Sequence, residues 1–225
     1  MSKYDFELDM NSNNSNSTIL RNIVPNSKVL EIGCAHGRMT KYMKQALNCS
    51  VDTIEIDEEA GKVAAQWANK SFAGNIEDLD IWDDLESMGC TNYDYIIFAD
   101  VLEHLHDPER ILNSSKRVLN DNGSIWVSIP NVAHNAVLID LFNDKFTYRD
   151  VGLLDNTHIK LFTYLSLEDM ISRCGLSIVT KINLKSPLAY TEFQNSYEDL
   201  PPEVAKFIKA REFGEIYQFV WELEK

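Results

Sequence analysis

This chain predicts an α/β fold with a mostly parallel sheet, and three observations carry that expectation. Short apolar runs recur at residues 29–32, 51–56, 93–98 and 124–129, with helix-length segments between them. That alternation gives a sheet with helices on its faces. Residues 95–98 are wholly apolar, as in a central strand covered on both sides. Gly33 and Gly37 follow the first run and open a helix. Strand, glycine turn, helix and strand then form one βαβ unit with a right-handed crossover.

Residues 1–17 are polar, but Tyr4, Phe6, Leu8 and Met10 alternate with polar neighbours. The segment is either an ordered lid or a loose tail, and Ser17 is placed to cap a short helix over 18–23. The first strand, 29–32, stops at Gly33, which lets the chain turn sharply, while Gly37 allows close backbone approach. A helix over 38–47 follows, and its unpaired N–H groups favour an electron-rich ligand. The second strand, 51–56, ends in Glu55, 22 residues after Gly33. That is the usual offset of a carboxylate that accepts two ribose hydroxyls. A dinucleotide fingerprint is G-x-G-x-x-G, but here the pattern is Glu31-x-Gly33-x-x-x-Gly37 with Ala35 inside it. No phosphate cradle is evident, and Glu31 near a strand end suits an ammonium group.

The run Leu30-Glu31-Ile32-Gly33-Cys34-Ala35-His36-Gly37 resembles the first motif of class I S-adenosylmethionine-dependent methyltransferases, E-x-G-x-G-x-G. Ala35 departs from it and should narrow the turn. The resemblance implies a Rossmann-like, seven-stranded sheet whose last strand is antiparallel and lies between the fifth and sixth. It implies S-adenosylmethionine as cofactor, held by Glu31, Gly33, Cys34, Ala35, Gly37, Glu55, Ile56, Asn75, Ile76, Asp100 and Val101. The third strand, 71–73, follows a helix over 58–69 and ends at Gly74-Asn75-Ile76. There the family places an acid against the adenine amino group. Asn75 can accept the same bond or close an Asx turn, and Ile76 would lie on the adenine face.

A helix over 81–88 leads to the fourth strand, 93–98, which opens onto Asp100-Val101-Leu102-Glu103-His104-Leu105. D-V-L-E-H-L resembles the motif after strand four of small-molecule methyltransferases, at the sheet edge where open α/β sheets bind ligands. Pro108 starts a helix to 119, and Asn122-Gly123 is expected to turn the chain into the fifth strand, 124–129. The connection 130–166 is too long for a plain loop and is expected to face the substrate. It holds an amphipathic piece at 137–142 and the candidate acceptor-binding residues Asn131, His134, Tyr148, Arg149, His158 and Phe162. Lys145, Arg149 and Lys160 suit a phosphorylated or nucleotide-linked acceptor, and Asp155 with His158 forms either a structural bond or part of the chemistry. A helix over 167–174, a sixth strand over 176–185, a helix from Pro202 to 211 and a seventh strand over 216–223 complete one domain.

The motifs at 100–105, 128–134 (S-I-P-N-V-A-H) and 152–158 (G-L-L-D-N-T-H) together resemble bacterial methyltransferases of sugar and surface-glycan biosynthesis, over about residues 4–180. An oxygen acceptor must lose its proton near attack, and histidine is the usual base. His104 ranks first, then His158 and His134, with Asp155 to orient one of them. His104 and His106 hint at a metal, but residues two apart share a face only on a strand, so none is assigned. A quinone-like, lipid or amino acceptor, a NAD-dependent oxidoreductase and a non-catalytic methyltransferase-like partner protein are the alternatives.

Composition sets the bounds. The chain has 225 residues, is 44% hydrophobic and carries a formal charge of −14, which argues against a nucleic-acid partner. No apolar run approaches a membrane span, and the first residues lack a signal-peptide core, so the cytoplasm is the expected compartment. Cys34, Cys49, Cys90 and Cys174 form no C-x-x-C pair and read as free thiols in a reducing compartment.

Overall fold

The computed structural model describes residues 8–225, the side chain of Leu79 apart. Tyr4 and Phe6, and with them the first half of the expected lid, lie outside the described residues. Seven strands form one sheet: β1 (Lys28–Ile32), β2 (Ser50–Glu55), β3 (Lys70–Ala73), β4 (Tyr93–Ala99), β5 (Leu119–Pro130), β6 (Ser177–Lys185) and β7 (Ile216–Glu224). Their order is β3-β2-β1-β4-β5-β7-β6. The first five strands pair in parallel, and β7 runs antiparallel to both β5 and β6. The class I methyltransferase topology expected from the motifs is therefore present, with its reversed last strand in the expected slot.

The pleat explains how the sheet is covered. Successive strand residues face opposite sides, so Leu30 and Ile32 pack into one core and Val29 into another. The first core is closed by α4 (Leu79–Ser87), α5 (Pro108–Ser115) and α7 (Tyr164–Arg173), through Trp82, Leu85, Ile111, Leu112, Leu167 and Ile171. The second is closed by α1 (Ser15–Asn22) and α2 (Arg38–Gln45), through Ile19, Leu20, Met39 and Met43. Leu8 and Met10 pack against this second core. The helix α3 (Glu58–Ala64) lies next to α2, where a Cβ on Gly37 would stand 2.7 Å from the Ala64 Cα. Within the insertion, α6 (Asn135–Phe142) packs on the segment before α8 (Pro202–Lys209).

Several boundaries differ from the sequence reading, each for a local reason. The first helix begins three residues early because Asn14, not Ser17, is its cap; Ser17 completes the capping box from inside. The helix expected to reach residue 69 stops at Ala64, since the Asn69 N–H is already bonded to Val51 O at the entry to β3. Helix α5 stops at Ser115, and Asn122-Gly123 is not a turn. Leu119 pairs with Tyr93 and Ser124 with Tyr95, so the extra residues bulge within one continuous β5. Gly123 fits this bulge because a Cβ there would stand 2.7 Å from Tyr93 O and 3.0 Å from Asp94 O. Those oxygens are backbone and cannot swing away. Gly123→Ala should therefore destabilise the fold by about 1–3 kcal/mol, read as a lower urea midpoint at unchanged slope.

Candidate functional site

A cavity of about 720 Å³ opens at the carboxyl ends of β1, β2 and β4 and extends under the insertion. Its first wall is the glycine turn. Gly33 N–H is bonded to Ile54 O at 2.9 Å, and Ala35 N–H to the Glu55 carboxylate at 2.7 Å. Gly33 has φ +70°, and a Cβ on it would stand 2.6 Å from a Val101 methyl, so only glycine lets the turn close on the end of β4. Ala35 also sits in the left-handed region, at φ +47°. A side chain there costs about 1 kcal/mol, so this position accepts alanine at a strain that the motif's usual glycine avoids.

Glu31 is 3% exposed and accepts a bond from the Thr40 hydroxyl at 2.5 Å. Burial, with Glu55 nearby, pushes its carboxyl up to about 7 despite the Thr40 bond. A buried carboxylate in that state gains most from a cationic partner. The second Glu55 oxygen takes the Asp57 N–H at 2.9 Å. Each oxygen keeps lone-pair capacity for a further donor, as two ribose hydroxyls require. Asn75 takes up its Asx turn, accepting from Glu77 N–H at 3.0 Å, and still lines the cavity beside Ile76. Asp100, at φ +56°, bonds Ser128 Oγ at 3.1 Å, Ser15 Oγ at 3.4 Å and the Gln218 amide. Burial raises its carboxyl to about 6. Of the eleven cofactor-binding candidates, Gly37 alone is off the lining, serving instead as the close contact between α2 and α3.

The far end is built from the D-V-L-E-H-L segment and the insertion. Glu103 O accepts N–H bonds from Ile159 at 2.9 Å and Lys160 at 3.0 Å, which fastens the two together. His104 Nδ1 lies 3.1 Å from Thr157 O. A carbonyl only accepts, so Nδ1 carries the proton and neutral His104 presents Nε2 as its basic nitrogen. His158 packs edge-on to His104, with ring centroids 4.9 Å apart, and its Nδ1 lies 3.4 Å from Leu153 O. Asp155 is 2% exposed and receives the Thr157 N–H and hydroxyl at 2.8 and 2.7 Å. It shapes the loop that holds His104.

Other candidates stand elsewhere. His134 is fully buried outside the cavity: it caps α6, accepts from Ala136 N–H at 3.1 Å and donates through Nε2 to Ser186 O at 2.8 Å. Burial pushes its imidazolium down in pKa. Asn131 is also fully buried, bonding Ile216 O at 2.8 Å, and Phe162 belongs to the core. Tyr148 is exposed against Phe146, and Arg149 lies over the Phe193 ring. Neither they nor Lys145 and Lys160 reach the cavity, where Arg38 is the one Lys or Arg among the described lining residues. His106 turns to Glu77, at 3.1 Å, instead of pairing with His104.

Glu103, Tyr217 and Gln218 also line the cavity, and residue-by-residue reading missed them. Tyr217 and Gln218 arrive on β7, whose place beside β5 is a matter of topology. Glu103 had a signal, a charge inside an apolar stretch. Its side chain is 1% exposed, and neither oxygen has a hydrogen-bond partner. Burial, then Asp100 and Asp155, raise its carboxyl well above the usual range. Glu103, His104 and His158 bring one nitrogen or oxygen each within 4.8 Å of one another. Zinc bonds of about 2.0–2.2 Å would space their ligands about 3.3–3.6 Å apart, closer than the 4.0 Å between His158 Nε2 and Glu103 Oε1.

Comparison with known proteins agrees with this geometry. The chain is 28% identical over 127 residues to a ubiquinone biosynthesis O-methyltransferase of Glaesserella parasuis, covering 54% of this chain and 53% of that protein. It is 27% identical over 105 residues to the protein of the same name from Xanthomonas oryzae, covering 47% and 44%. The chain thus spans about half the length of the curated relatives it matches. Among solved structures, a SAM dependent methyltransferase from Archaeoglobus fulgidus superposes with a TM-score of 0.60 at 17% identity, over 88% of this chain and 86% of that one. Among the described residues no helix is long and apolar enough to cross a membrane. The methyltransferase-domain family model matches residues 14–181. On that match, with the sheet order and the strand-end carboxylates behind it, the chain belongs to the methyltransferase-domain family, whose methyl donor is S-adenosylmethionine.

Proposed function

We propose that the chain methylates a hydroxyl of a small molecule, most directly a sugar hydroxyl, with His104 as the base. The observation that carries this reading is the His104 ring, held through Nδ1 by the Thr157 carbonyl beside the end of β4. The donor, when bound, supplies an electrophilic methyl on its sulfonium. The chain's part is alignment and exclusion of water. Glu31 takes the ammonium end, Glu55 the ribose hydroxyls, and Ile76 with Asn75 the adenine. His104 Nε2 accepts the hydroxyl proton as the oxygen attacks.

The sugar acceptor rests on the likeness of the three motifs at 100–105, 128–134 and 152–158. A nucleotide-linked form is disfavoured, because the basic residues that would meet its phosphates lie away from the cavity. A phenolic hydroxyl is the second reading, favoured by the relatives named for ubiquinone biosynthesis. It calls for the same base. A nicotinamide cofactor is dropped, since the family match and the absent phosphate cradle oppose it.

Two outcomes follow from the assigned roles. Glu31 must ionise to hold an ammonium, and its free-state value is about 7. S-adenosylhomocysteine affinity, measured by calorimetry, should fall by up to about tenfold per pH unit below 7, and Glu31→Gln should flatten that profile. In the empty protein the sign is opposite. Folded Glu31 holds its proton more tightly than the unfolded chain does, so stability falls as pH rises from about 4.5 to 7. For the base, a screen of labelled methyl transfer to monosaccharides and phenols identifies the acceptor. His104→Gln should then lower kcat by about 10²–10⁴-fold while S-adenosylhomocysteine affinity stays within about twofold. Unchanged kcat would remove His104 from the chemistry.

A further inference from the structure

We propose that Tyr217 sets acceptor specificity: its ring is the platform on which the C–H face of a pyranose lies, while the sugar's hydroxyls meet the carboxylates of the cavity. The inference rests on the hydroxyl-methylation reading above. It narrows the acceptor to a cyclic sugar, as against an open-chain polyol or a phenol.

The first ground is where the ring stands. The strand order puts β7 beyond β4 and β5, away from the glycine turn. Because β7 runs antiparallel to β5, its first residues reach the edge where Pro130 ends β5. There Tyr217 lines the cavity together with Pro130, Val151 and Gly152. The residues assigned to the donor lie on the β3-β2-β1-β4 side, so Tyr217 belongs to the acceptor's end. Among the described lining residues it is the one Phe, Tyr or Trp.

The second ground is how the ring is held. The Tyr217 hydroxyl donates to Glu192 Oε2 at 3.0 Å, and the other Glu192 oxygen accepts the Leu153 N–H at 2.7 Å. Burial, then the Glu192 charge, push the phenol up in pKa, so it stays a neutral donor. A Cβ on Gly152, at φ +97°, would collide with the Glu192 carboxylate. Glu192 could swing aside only by giving up both bonds, so glycine at this point lets the carboxylate in. The ring also makes an edge contact with His134, centroids 5.8 Å apart, and packs on the cluster of Ala136, Val137 and Leu153. A side chain fixed in this way loses little freedom when a ligand arrives.

The ring and the acids near it together describe a sugar. An aromatic face carries negative potential, which suits C–H bonds polarised by neighbouring oxygens, as on one face of a pyranose. The rim of the same ligand presents hydroxyl donors. Glu103, 1% exposed and with neither oxygen bonded, is an acceptor that lacks them. A phenol brings one such donor and a face of the same sign as the tyrosine's. No covalent step is added, and His104 remains the base.

The test uses the full chain saturated with S-adenosylhomocysteine and titrated by calorimetry with methyl glucoside, methyl galactoside, open-chain glucitol and phenol. The same probes are assayed for labelled methyl transfer with S-adenosylmethionine. The pyranosides should bind about tenfold or more tighter than glucitol. Tyr217→Leu should abolish that preference and Tyr217→Phe keep most of it, each with S-adenosylhomocysteine affinity within about twofold, which also shows that they fold. Glu192→Ala should raise the pyranoside KM several-fold with little change in kcat, and Glu192→Gln, which keeps one acceptor oxygen, should recover part of the loss. Equal binding of pyranosides and glucitol, tighter binding of phenol, no binding of any pyranoside, or a preference that survives Tyr217→Leu would each overturn the proposal. Methylation of phenol alone would overturn it and leave hydroxyl methylation standing. Should Tyr217→Leu lose S-adenosylhomocysteine as well, the wild-type preference and the Glu192 pair decide. Failure of the wild-type chain to bind S-adenosylhomocysteine would overturn the methyltransferase reading and this one together.

Discussion

The hydrogen bond from the Ala35 amide to the Glu55 carboxylate, at 2.7 Å, joins the glycine turn after β1 to the end of β2. Much of the site's geometry depends on it. It holds Ala35 at a positive φ that an alanine does not choose, and it fixes the acid at the rim of the cavity. Gly33, bonded to Ile54 O in the same turn, then presses against Val101. The ends of three adjacent parallel strands, β2, β1 and β4, are thereby locked at one edge. Such an edge is where open α/β sheets bind ligands. Here it also sets the depth at which Glu31 is buried.

That edge concentrates negative charge in a place short of water. Glu31, Asp100 and Glu103 are all raised, by burial first. In a protein of net charge −14 this works against folding and in favour of cationic ligands, because each buried acid becomes worth more once a positive partner arrives. In the proposed reading Glu31 takes the ammonium tail of the sulfonium cofactor. The insertion lines one end of the cavity without adding a single lining Lys or Arg. It contributes Thr157 and Leu153 carbonyls that set the histidine tautomers.

How much of this was legible beforehand follows from how local each signal is. Gly33, Glu31 and Glu55 could be read because a turn and a strand end announce themselves within a few residues, and the seven strands because apolar runs do the same. The D-V-L-E-H-L segment placed His104 at a strand end. His134 and Asn131 looked equally suitable, yet both are spent on backbone groups, capping α6 and bridging to β7. Polar side chains in a long connection face that demand whatever their chemistry. Tyr217 and Gln218 reach the cavity only because β7 reverses beside β5, information that no local window holds. The bulge at Gly123 was hidden for a related reason: Asn-Gly is a turn signal until a neighbouring strand claims both flanks.

The proposed reaction requires the edge at Gly33 and Glu55 to hold a sulfonium nucleoside. Thermal unfolding with S-adenosylmethionine, S-adenosylhomocysteine and NADH in parallel tests it most directly. At about 100 times Kd, each of the first two should add roughly 2.7 kcal/mol and raise the midpoint by several degrees, while NADH leaves it in place. A shift with NADH alone, or none with either adenosyl ligand, would mean that this edge holds no sulfonium nucleoside.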